Sequence, residues 1–294
     1  MTQTVVAIVL NWNGESDTAA CLDSLLAQDG VALDLLLVDN DSPDGSGARL
    51  HRRYPNVQYL QTGANLGYAG GNNRGFAWAM ERGAEWVLVC NNDTVVDPQC
   101  VRLLLAAAQA DERIAALTPL IVRFDARDRV WFAGGTLSIA RGLGRHDHAG
   151  ATVADVERRI GTDVWQPCTF LTGCCLLLRV RALQDVGTFR EDFFAYVEDV
   201  DLSLRLSRAG WRLGWVPRAR LAHRVPARDA PPSPTQIALR DRNRRRMVRD
   251  RYPWHLRAVF AAWFWPTRLI SMGRYVMGRD WPRTRAILEG MTAR

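Results

Sequence analysis

Four short apolar runs occur in the first hundred residues of this chain, at residues 5–10, 33–39, 57–60 and 86–90. The first two end in polar residues and precede segments with helical spacing, which predicts repeated strand–helix units. Alternation of this kind predicts an α/β fold whose central sheet is mainly parallel and covered by helices on both faces. Because ligands of such sheets bind beyond the carboxyl ends of the strands, the residues that follow each run are candidates for a site.

The second part of the chain has a different pattern. Residues 130–139 predict extended structure, and residues 140–162 predict a loop rich in Gly, Arg and His. Residues 170–179 predict a mostly buried strand that leads into an acidic helix.

Prolines and charge divide the chain further. Four prolines lie between residues 226 and 234. From residue 240 to the end, fourteen arginines and four acidic residues give a net charge of +10, whereas the preceding residues carry −3. These shifts predict a domain of residues 1–225, a Pro-rich linker of residues 226–239 and a basic, Trp-rich helical extension of residues 240–294.

Two interpretations of the extension are equally favoured. Residues 254–278 are mostly apolar but are interrupted by arginines and Pro266, so a membrane-spanning helix is not expected. An amphipathic helix could lie on an anionic membrane surface, with arginines at the headgroups and tryptophans at the interface. The same aromatic residues could instead pack the extension onto the preceding domain. Nucleic-acid binding is a third and less favoured interpretation.

Composition and cysteine usage indicate the cellular compartment in which the protein is expected. The 294 residues are 48% hydrophobic and 23% charged, which is typical of a folded globular protein. The six cysteines include no C-x-x-C pair, which favours free thiols in a reducing compartment. The N-terminus has no basic region, and its apolar run is too short for a signal peptide. The sequence therefore predicts a cytoplasmic protein, with peripheral binding to the inner face of the cytoplasmic membrane as the alternative to a packed extension.

Polar and glycine-rich segments follow the predicted strands. A strand that ends in Asp39 can offer a carboxylate to an N–H donor of a bound base, although the next residues are equally typical of an Asx turn. The glycines of residues 65–75 permit close backbone approach to a ligand, and a helix that begins near Gly70 would direct free N–H groups at a phosphate. The chain has no lysine to complete a phosphate loop, which disfavours an ordinary ATPase.

Oxygen ligands follow the fourth apolar run. Asn91, Asn92 and Asp93 offer two amides and one carboxylate, a set suited to Mg²⁺ or Mn²⁺ that already binds a diphosphate. His223, which follows a later apolar strand, could complete such a site, although a lone histidine is more often structural.

The densest cluster of acids lies at the start of a predicted helix. Glu198, Asp199 and Asp201 follow an aromatic segment and precede an amphipathic pattern. Acids in a first helical turn interact favourably with the helix dipole and can cap free N–H groups. Capping alone explains most clusters of this kind, but this one accompanies several polar strand ends, which favours a functional site.

Five segments, taken in order, carry a resemblance to a known family: residues 38–46, 65–72, 91–93, 172–174 and 193–205. Together they resemble the family-2 inverting glycosyltransferases, and most of all the bacterial rhamnosyltransferase-like branch. The resemblance extends to Arg242 and Asn243, because an Arg-Asn pair often follows the catalytic domain in this branch. It implies a GT-A fold, a nucleotide-diphospho-sugar donor and Mg²⁺ or Mn²⁺ as the cofactor.

The resemblance also implies roles for the acidic residues. Asp199 would be the general base, while Glu198 and Asp201 would shape the acceptor site or orient that base. Asp93 and His223 would bind the metal.

The donor site is predicted from the same resemblance. Asp39 would contact the donor base. Asn91 stands where many members carry the first acid of a D-x-D motif, which predicts looser metal binding. The full set of predicted donor-binding residues is Asn11, Asp39, Asn65, Gly67, Asn72, Asn92 and Asp93.

The implied function is transfer of a sugar, with rhamnose favoured, from a dTDP- or UDP-sugar to a hydroxyl of a cell-envelope glycan or lipid-linked acceptor. A sugar nucleotidyltransferase is one alternative, but it usually needs a basic glycine-rich loop that residues 11–15 do not offer. A noncatalytic sugar-nucleotide or nucleic-acid binding protein is another, and it leaves the acidic cluster unexplained.

Overall fold

The structure, a computed structural model, describes residues 4–161, 164–225 and 231–293. Twelve β-strands occur within these ranges: β1 Val5–Asn11, β2 Leu33–Asp39, β3 Gln58–Gln61, β4 Trp86–Asn91, β5 Thr94–Val96, β6 Ile114–Arg123, β7 Val130–Phe132, β8 Gly135–Ser138, β9 Leu143–His146, β10 Gln166–Cys168, β11 Cys175–Arg179 and β12 Arg212–His223. Ten α-helices accompany them: α1 Glu15–Leu26, α2 Ser46–Arg53, α3 Gly67–Glu81, α4 Cys100–Ala108, α5 Val153–Ile160, α6 Val180–Val186, α7 Glu198–Arg208, α8 Pro234–Arg251, α9 Trp254–Met277 and α10 Trp281–Thr292.

The main sheet has the strand order β10-β12-β6-β11-β4-β1-β2-β3. Strand β1 pairs in parallel with β2 and β4, β2 pairs in parallel with β3, and β6 pairs in parallel with β12. Strand β11 lies antiparallel between β4 and β6. Six of the eight strands therefore point the same way, and the predicted α/β class with a mostly parallel central sheet is confirmed.

This topology brings the predicted site segments to one edge of the sheet. The carboxyl ends of β1, β2 and β4 lie side by side, with Asn11 paired to Asp39 and Asn91 paired to Leu10. Strand β11 runs the other way, so its amino end reaches the same edge, where Cys175 pairs with Cys90. Strand β12 ends at this edge as well, next to β5.

Helices cover both faces of the sheet. Successive residues of β1 alternate between two buried clusters: Ala7 and Val9 belong to one, and Val6 and Ile8 to the other. The first cluster includes apolar residues of α1, α2 and α4, and the second includes those of α3, α6 and α7. Burial on both faces explains why the strands read as continuous apolar runs instead of alternating ones.

Strand β6 was not predicted, although it lies near the centre of the sheet between β11 and β12. Its residues are buried except Arg123, so it shows no apolar–polar period. Pro119 also argues against a central strand, because proline cannot donate to the ladder. The structure accommodates Pro119 at a register shift, where the pairing of β6 with β12 skips from Val216 to Arg220.

The prediction of a loop over residues 140–162 is wrong for two stretches. Strands β8 and β9 form a separate antiparallel hairpin, and the extended segment 130–139 is divided between β7 and β8. Helix α5 begins after Thr152, whose side chain accepts a hydrogen bond from the Asp155 N–H at 3.0 Å. This cap is the local signal for a helix inside a segment with weak periodicity.

The predicted linker is shorter in the structure. Ser233 caps α8, and Pro234 occupies its first turn, where a missing N–H breaks no hydrogen bond. Residues 234–239 are therefore helical, while residues 226–230 lie outside the described residues. The division of the chain into three parts stays a prediction.

A buried ionic centre joins α8 to α9. Asp241 is fully buried and accepts hydrogen bonds from Arg244 at 3.0 Å and from Arg268 at 3.2 Å. Burial lowers the pKa of Arg244 to about 9. Breaking such a centre would leave an uncompensated charge in the interior, which is strongly destabilising.

Helix α9 has one exposed apolar face. Only Phe260 and Phe264 are fully buried along its 24 residues. The opposite face carries exposed residues at helical spacing: Trp254, Ala258, Ala262, Trp265, Leu269 and Val276. Within the described ranges, no helix combines the length and the apolar character needed to cross a membrane.

Candidate active site

The first part of the site is a hydrogen-bond network at the ends of β1 and β2. Asp39 is buried, and one of its oxygens accepts from Ser42 Oγ at 2.5 Å and from Asn11 Nδ2 at 3.3 Å. The other oxygen accepts from the Tyr59 hydroxyl at 3.2 Å. A Cβ atom at Gly47 would lie only 2.1 Å from this carboxylate, so the second residue of α2 has to be glycine. The strand end thus holds a buried carboxylate in one fixed orientation.

Asn40 fixes the turn that leads into α3. Its amide donates to Asn65 Oδ1 at 3.0 Å and to the Gly67 carbonyl at 3.1 Å, and its oxygen accepts from the Leu66 N–H at 3.0 Å. Asn65 Oδ1 also accepts from the Gly67 N–H at 2.9 Å. The predicted residues Asn65 and Gly67 therefore lie beside the end of β2.

The glycines of residues 65–75 serve close packing. Gly67 has a φ of +70°, and a Cβ atom there would lie 2.4 Å from the Phe194 carbonyl. Helix α3 starts at Gly67 instead of near Gly70, and later glycines let it approach β1. Asn72 is buried within α3 and donates to the Tyr68 carbonyl at 2.9 Å. Binding of a donor by these residues stays a prediction.

The predicted metal ligands meet at the carboxyl edge. Asp93 Oδ1 and His223 Nε2 lie 3.1 Å apart, and β5, which begins one residue after Asp93, pairs with the end of β12. Asn92 is directed elsewhere, because its amide donates to Thr18 Oγ1 at 2.9 Å. The topology thus brings together two residues that are 130 positions apart in the sequence.

The Asp93–His223 pair fits a divalent metal. Two ligands at right angles around one ion, each about 2.1 Å away, stand about 3 Å apart. Asn91 Oδ1, Asp93 Oδ1 and His223 Nδ1 are buried and have no hydrogen-bond partner among the described residues. Within those residues there is no group of three His, Cys, Asp or Glu side chains placed to hold an ion. A single protein carboxylate, that of Asp93, is compatible with Mg²⁺, which commonly binds through one or two carboxylates and substrate phosphates.

A strained turn precedes the acidic cluster. Phe194, Tyr196 and Val197 have φ values of 63°, 70° and 77°, in the left-handed region that disfavours side chains with a Cβ atom. A β-branched residue such as Val197 is especially unfavourable there. Each such residue costs on the order of 1–3 kcal/mol, so the turn persists only because other contacts hold it.

Asn243 of α8 is the main contact that holds this turn. It is fully buried, and its amide donates to the carbonyls of Phe193, Ala195 and Tyr196 at 2.8, 2.9 and 2.8 Å. Arg242 donates to the Phe193 carbonyl at 3.2 Å and orients Asn243 through its Oδ1 at 3.1 Å. The Arg-Asn pair seen in the sequence therefore supports the entrance to α7.

Asp199 and Glu198 begin α7 directly after the turn. The Asp199 carboxylate accepts from the Gly173 N–H at 2.9 Å and from the Val200 N–H at 2.8 Å. Burial raises the pKa of Asp199 to about 6, although these hydrogen bonds oppose the shift. Burial and the neighbouring Asp199 raise the pKa of Glu198, whose Oε2 has no partner among the described residues. Asp199 is partly exposed and Glu198 is not.

Asp201 has a different environment. Its carboxylate is fully buried and accepts from Arg205 at 2.7 Å and from Arg251 at 2.9 Å. Arg205 also donates to the carbonyls of Val186, Gly187 and Thr188. Asp201 thus ties α7 to α8 and to the segment after α6, which fits the orienting role and not contact with an acceptor.

A cavity of about 1010 Å³ opens beside the metal ligands. Asp93 and His223 line one part of it, and Tyr196 of the strained turn lines another. Trp131 forms a further wall, with its ring 4.6 Å from those of His146 and His223. The cavity is therefore continuous from the metal ligands to the turn that precedes Asp199.

For three residues of the site the sequence predicted no role. Asn40 organises the turn at Gly67, and Tyr68 donates to the Gly173 carbonyl at 2.6 Å, next to the N–H that binds Asp199. Asn243 holds the strained turn. Asn40 and Tyr68 stand inside motifs that the sequence showed, but their partners are distant in sequence and only the fold identifies them.

Comparisons of the sequence with known proteins agree with this geometry. The profile of the family described as glycosyl transferase family 2 matches residues 6–187. An N-acetylglucosaminyl-diphospho-decaprenol L-rhamnosyltransferase of Mycobacterium tuberculosis is 34% identical over 239 residues, which are 76% of each chain. The rhamnosyltransferase WbbL of Escherichia coli is 27% identical over 117 residues, or 40% of this chain and 36% of that protein.

Solved structures show the same fold. GalNAc-T7, crystallised with UDP, GalNAc and Mn²⁺, matches with a TM-score of 0.69 at 15% identity, over 89% of this chain and 50% of its own. Staphylococcus aureus TarS, residues 1–349, matches with a TM-score of 0.57 at 16% identity, over 88% of this chain and 70% of its own. At these identities the likeness concerns the fold alone, and the expected GT-A fold is confirmed.

The family assignment rests on the sequence matches, and the site agrees with it. The family profile spans the strand ends that carry Asn11, Asp39 and Asp93, while the mycobacterial relative covers three quarters of the chain. The protein belongs to glycosyl transferase family 2 and is a glycosyltransferase of the rhamnosyltransferase-like kind.

Proposed function

We propose that this protein is an inverting glycosyltransferase that moves a 6-deoxy sugar such as rhamnose from a nucleoside diphosphate to a hydroxyl of a lipid-linked cell-envelope glycan. The observation that carries the proposal is Asp199, a partly exposed carboxylate with a pKa of about 6 that follows a strained turn at the cavity. The name of the mycobacterial relative supports the sugar and the acceptor class.

Asp199 is the general base of this proposal. An acceptor hydroxyl is a poor nucleophile until a carboxylate within hydrogen-bond reach takes its proton. A pKa near 6 leaves Asp199 ionised at neutral pH while making it a stronger base than an ordinary aspartate. Its two backbone N–H partners fix its orientation, so the proton is accepted at a defined position. Attack opposite the leaving diphosphate inverts the anomeric centre in one displacement.

Glu198 and Asp201 assist without contacting the reacting atoms. Burial and the charge of Asp199 raise the pKa of Glu198, which favours its neutral form beside Asp199. Asp201 binds Arg205 and Arg251 and thereby fixes α7.

The donor lies along the sheet edge from Asp39 to Asp93 in this proposal. Asp39 contacts the base, and Asn11 and Asn65 keep the strand end and the next turn in place. Asp93 and His223 hold Mg²⁺ or Mn²⁺, which when bound neutralises charge on the diphosphate. A dTDP-sugar suits this branch of the family, and UDP-sugars are the alternative donors.

The exposed face of α9 supports peripheral attachment to a membrane. Trp254, Trp265 and Leu269 are 79%, 41% and 53% exposed along one stripe. Arg257 is exposed beside this stripe. Tryptophans at the interface and arginines at anionic headgroups are typical of a helix that lies on a membrane. A lipid-linked acceptor would be presented at that surface.

The first prediction concerns transfer of the sugar to a lipid-linked acceptor. With dTDP-L-rhamnose, Mg²⁺ or Mn²⁺ and a short-chain N-acetylglucosaminyl-diphospho-lipid, we expect a product whose new linkage has the anomeric configuration opposite to the donor, measured by NMR. Asp93→Asn should weaken metal activation and leave the protein folded. A product with retained configuration, or full activity in EDTA, would contradict the proposal.

The pH dependence of transfer tests Asp199. Because burial raises its pKa to about 6, kcat/KM should fall about tenfold per pH unit below that value and level off above it. Asp199→Asn should lose about 100-fold to 10,000-fold in kcat and lose this pH dependence. Its folding can be checked by circular dichroism. An activity that stays constant from about pH 8 to about pH 5 would show that another group is the base.

Asn243→Ala tests the support of the strained turn. It removes one donor from each of three carbonyls, of which that of Phe193 keeps Arg242. We therefore expect a loss of about 2–4 kcal/mol in the free energy of unfolding. The donor KM should stay unchanged while kcat falls, because the turn positions Asp199. Asn73→Ala is the matched control, since Asn73 donates to the Phe189 carbonyl at 2.8 Å and does not touch the turn. It should lose stability with kcat retained; equal kcat losses in both variants would refute the positioning role.

Vesicle flotation tests the α9 stripe. We expect the protein to float with vesicles that contain phosphatidylglycerol and to stay unbound with neutral phosphatidylcholine vesicles. Replacement of Trp265, Leu269 and Val276 by Gln should abolish flotation and keep transfer to a water-soluble acceptor. If the substitutions leave flotation intact, or if the native protein never floats, the membrane proposal is wrong.

A further inference from the structure

Four arginines line the cavity beside the metal ligands: Arg123, Arg129, Arg224 and Arg240. The first three have carboxylate partners. Arg123 pairs with Asp125 at 2.9 Å, Arg129 with Asp128 at 3.4 Å, and Arg224 with Asp17 at 3.1 Å. These pairs neutralise the charge that the three arginines bring to the cavity wall.

Arg240, unlike these three arginines, has no carboxylate partner among the described residues. Within the described part of the chain its guanidinium makes no hydrogen bond or ion pair, and its Nε is buried without a partner. Burial lowers its pKa. Arg240 as a residue is partly exposed to the cavity. A guanidinium that is largely buried and unpaired is costly, and a bound anion would offset that cost.

Asp241, the carboxylate that most favours the charge on Arg240, is already in use. It accepts hydrogen bonds from Arg244 and Arg268, and Arg268 disfavours the charge on both Arg240 and Arg244. Arg141 adds a further positive charge near Arg240. One carboxylate thus faces several guanidinium groups, and the excess positive charge is exposed to the cavity at Arg240.

Arg240 lies away from the predicted binding site of the donor base. The base site at Asp39 lies at the end of β2, on one side of the metal ligands along the sheet edge. The cavity lies on the other side, where β6, β7 and β12 end, and Asp39 is not among its lining residues. Arg240 lines the cavity together with Tyr196, three residues before Asp199. An anion at Arg240 would therefore belong to the molecule that Asp199 activates.

We propose that Arg240 binds the diphosphate of the acceptor and so selects acceptors in which the sugar is joined to its lipid through that group. This inference rests on the proposed function for the identity of the acceptor. Guanidinium groups match phosphate oxygens with paired hydrogen bonds, which lysine cannot reproduce. The other source of a diphosphate is the donor, and the two sources predict different results.

Binding can be measured without catalysis. Geranyl diphosphate, titrated by calorimetry without donor or metal, should bind the native protein, and Arg240→Met should weaken it about tenfold or more. Arg240→Lys should give an intermediate affinity. Arg249→Met is the matched control, because Arg249 lies exposed on the same helix and pairs with Asp250. It should bind like the native protein, and affinity for dTDP with Mg²⁺ should be unchanged in every variant.

Kinetics distinguish the acceptor from the donor. Arg240→Met should raise the KM for an N-acetylglucosaminyl-diphospho-lipid about tenfold to 100-fold, and leave unchanged both the donor KM and transfer to an alkyl glycoside without phosphate. Without ligand, the variant should melt at the same temperature as the native protein or higher, since an unpaired buried cation is removed.

Several outcomes would overturn the inference. They are an unchanged affinity for geranyl diphosphate in Arg240→Met, an equal loss of affinity for dTDP, and an equal loss of transfer to both acceptors. If no sugar nucleotide supports transfer while geranyl diphosphate binding still depends on Arg240, the proposed function fails and the diphosphate site stands.

Discussion

The three hydrogen bonds from Asn243 to the turn at residues 193–197 are the interaction on which the rest of the site depends. The turn contains three residues with left-handed backbone angles, and nothing in its own sequence makes that conformation favourable. It nevertheless sets the direction in which α7 leaves the sheet edge, and so the position of Asp199. A single buried amide, contributed by a helix from the far end of the chain, offsets the strain of the turn.

The site divides into two halves that are stabilised differently. The half near Asp39 is built from contacts between neighbouring strand ends and turns. Asn11 and Ser42 donate hydrogen bonds to the Asp39 carboxylate, and Asn40 donates to the backbone carbonyl of Gly67. The half near Asp199 depends on ionic and amide contacts to α8. The predicted metal ligands, Asp93 and His223, stand between the two halves, where the ends of β4 and β12 bring distant residues together.

The sequence predicted the strand ends correctly because β1, β2 and β4 are continuous apolar runs with polar residues after them. It failed at β6, where burial on both faces removed any period and Pro119 argued against a strand. It also predicted no role for Asn243. The side chain of this residue makes its contacts about fifty positions away in the chain, and such partners follow from topology and not from local pattern. Asp93 and His223 were predicted as metal ligands from their residue types and from the family resemblance, and only the topology shows that they lie close together.

Helix α8 is part of the predicted extension, and it also contributes residues to the candidate active site. Its buried Asn243 supports the turn, its Arg251 holds Asp201, and its Arg240 faces the cavity. A chimera that joined the first 225 residues of this protein to the C-terminal helices of another transferase would therefore exchange residues of the candidate site together with the extension. Composition predicts a boundary at the prolines. The residues that form the candidate site nevertheless lie on both sides of it.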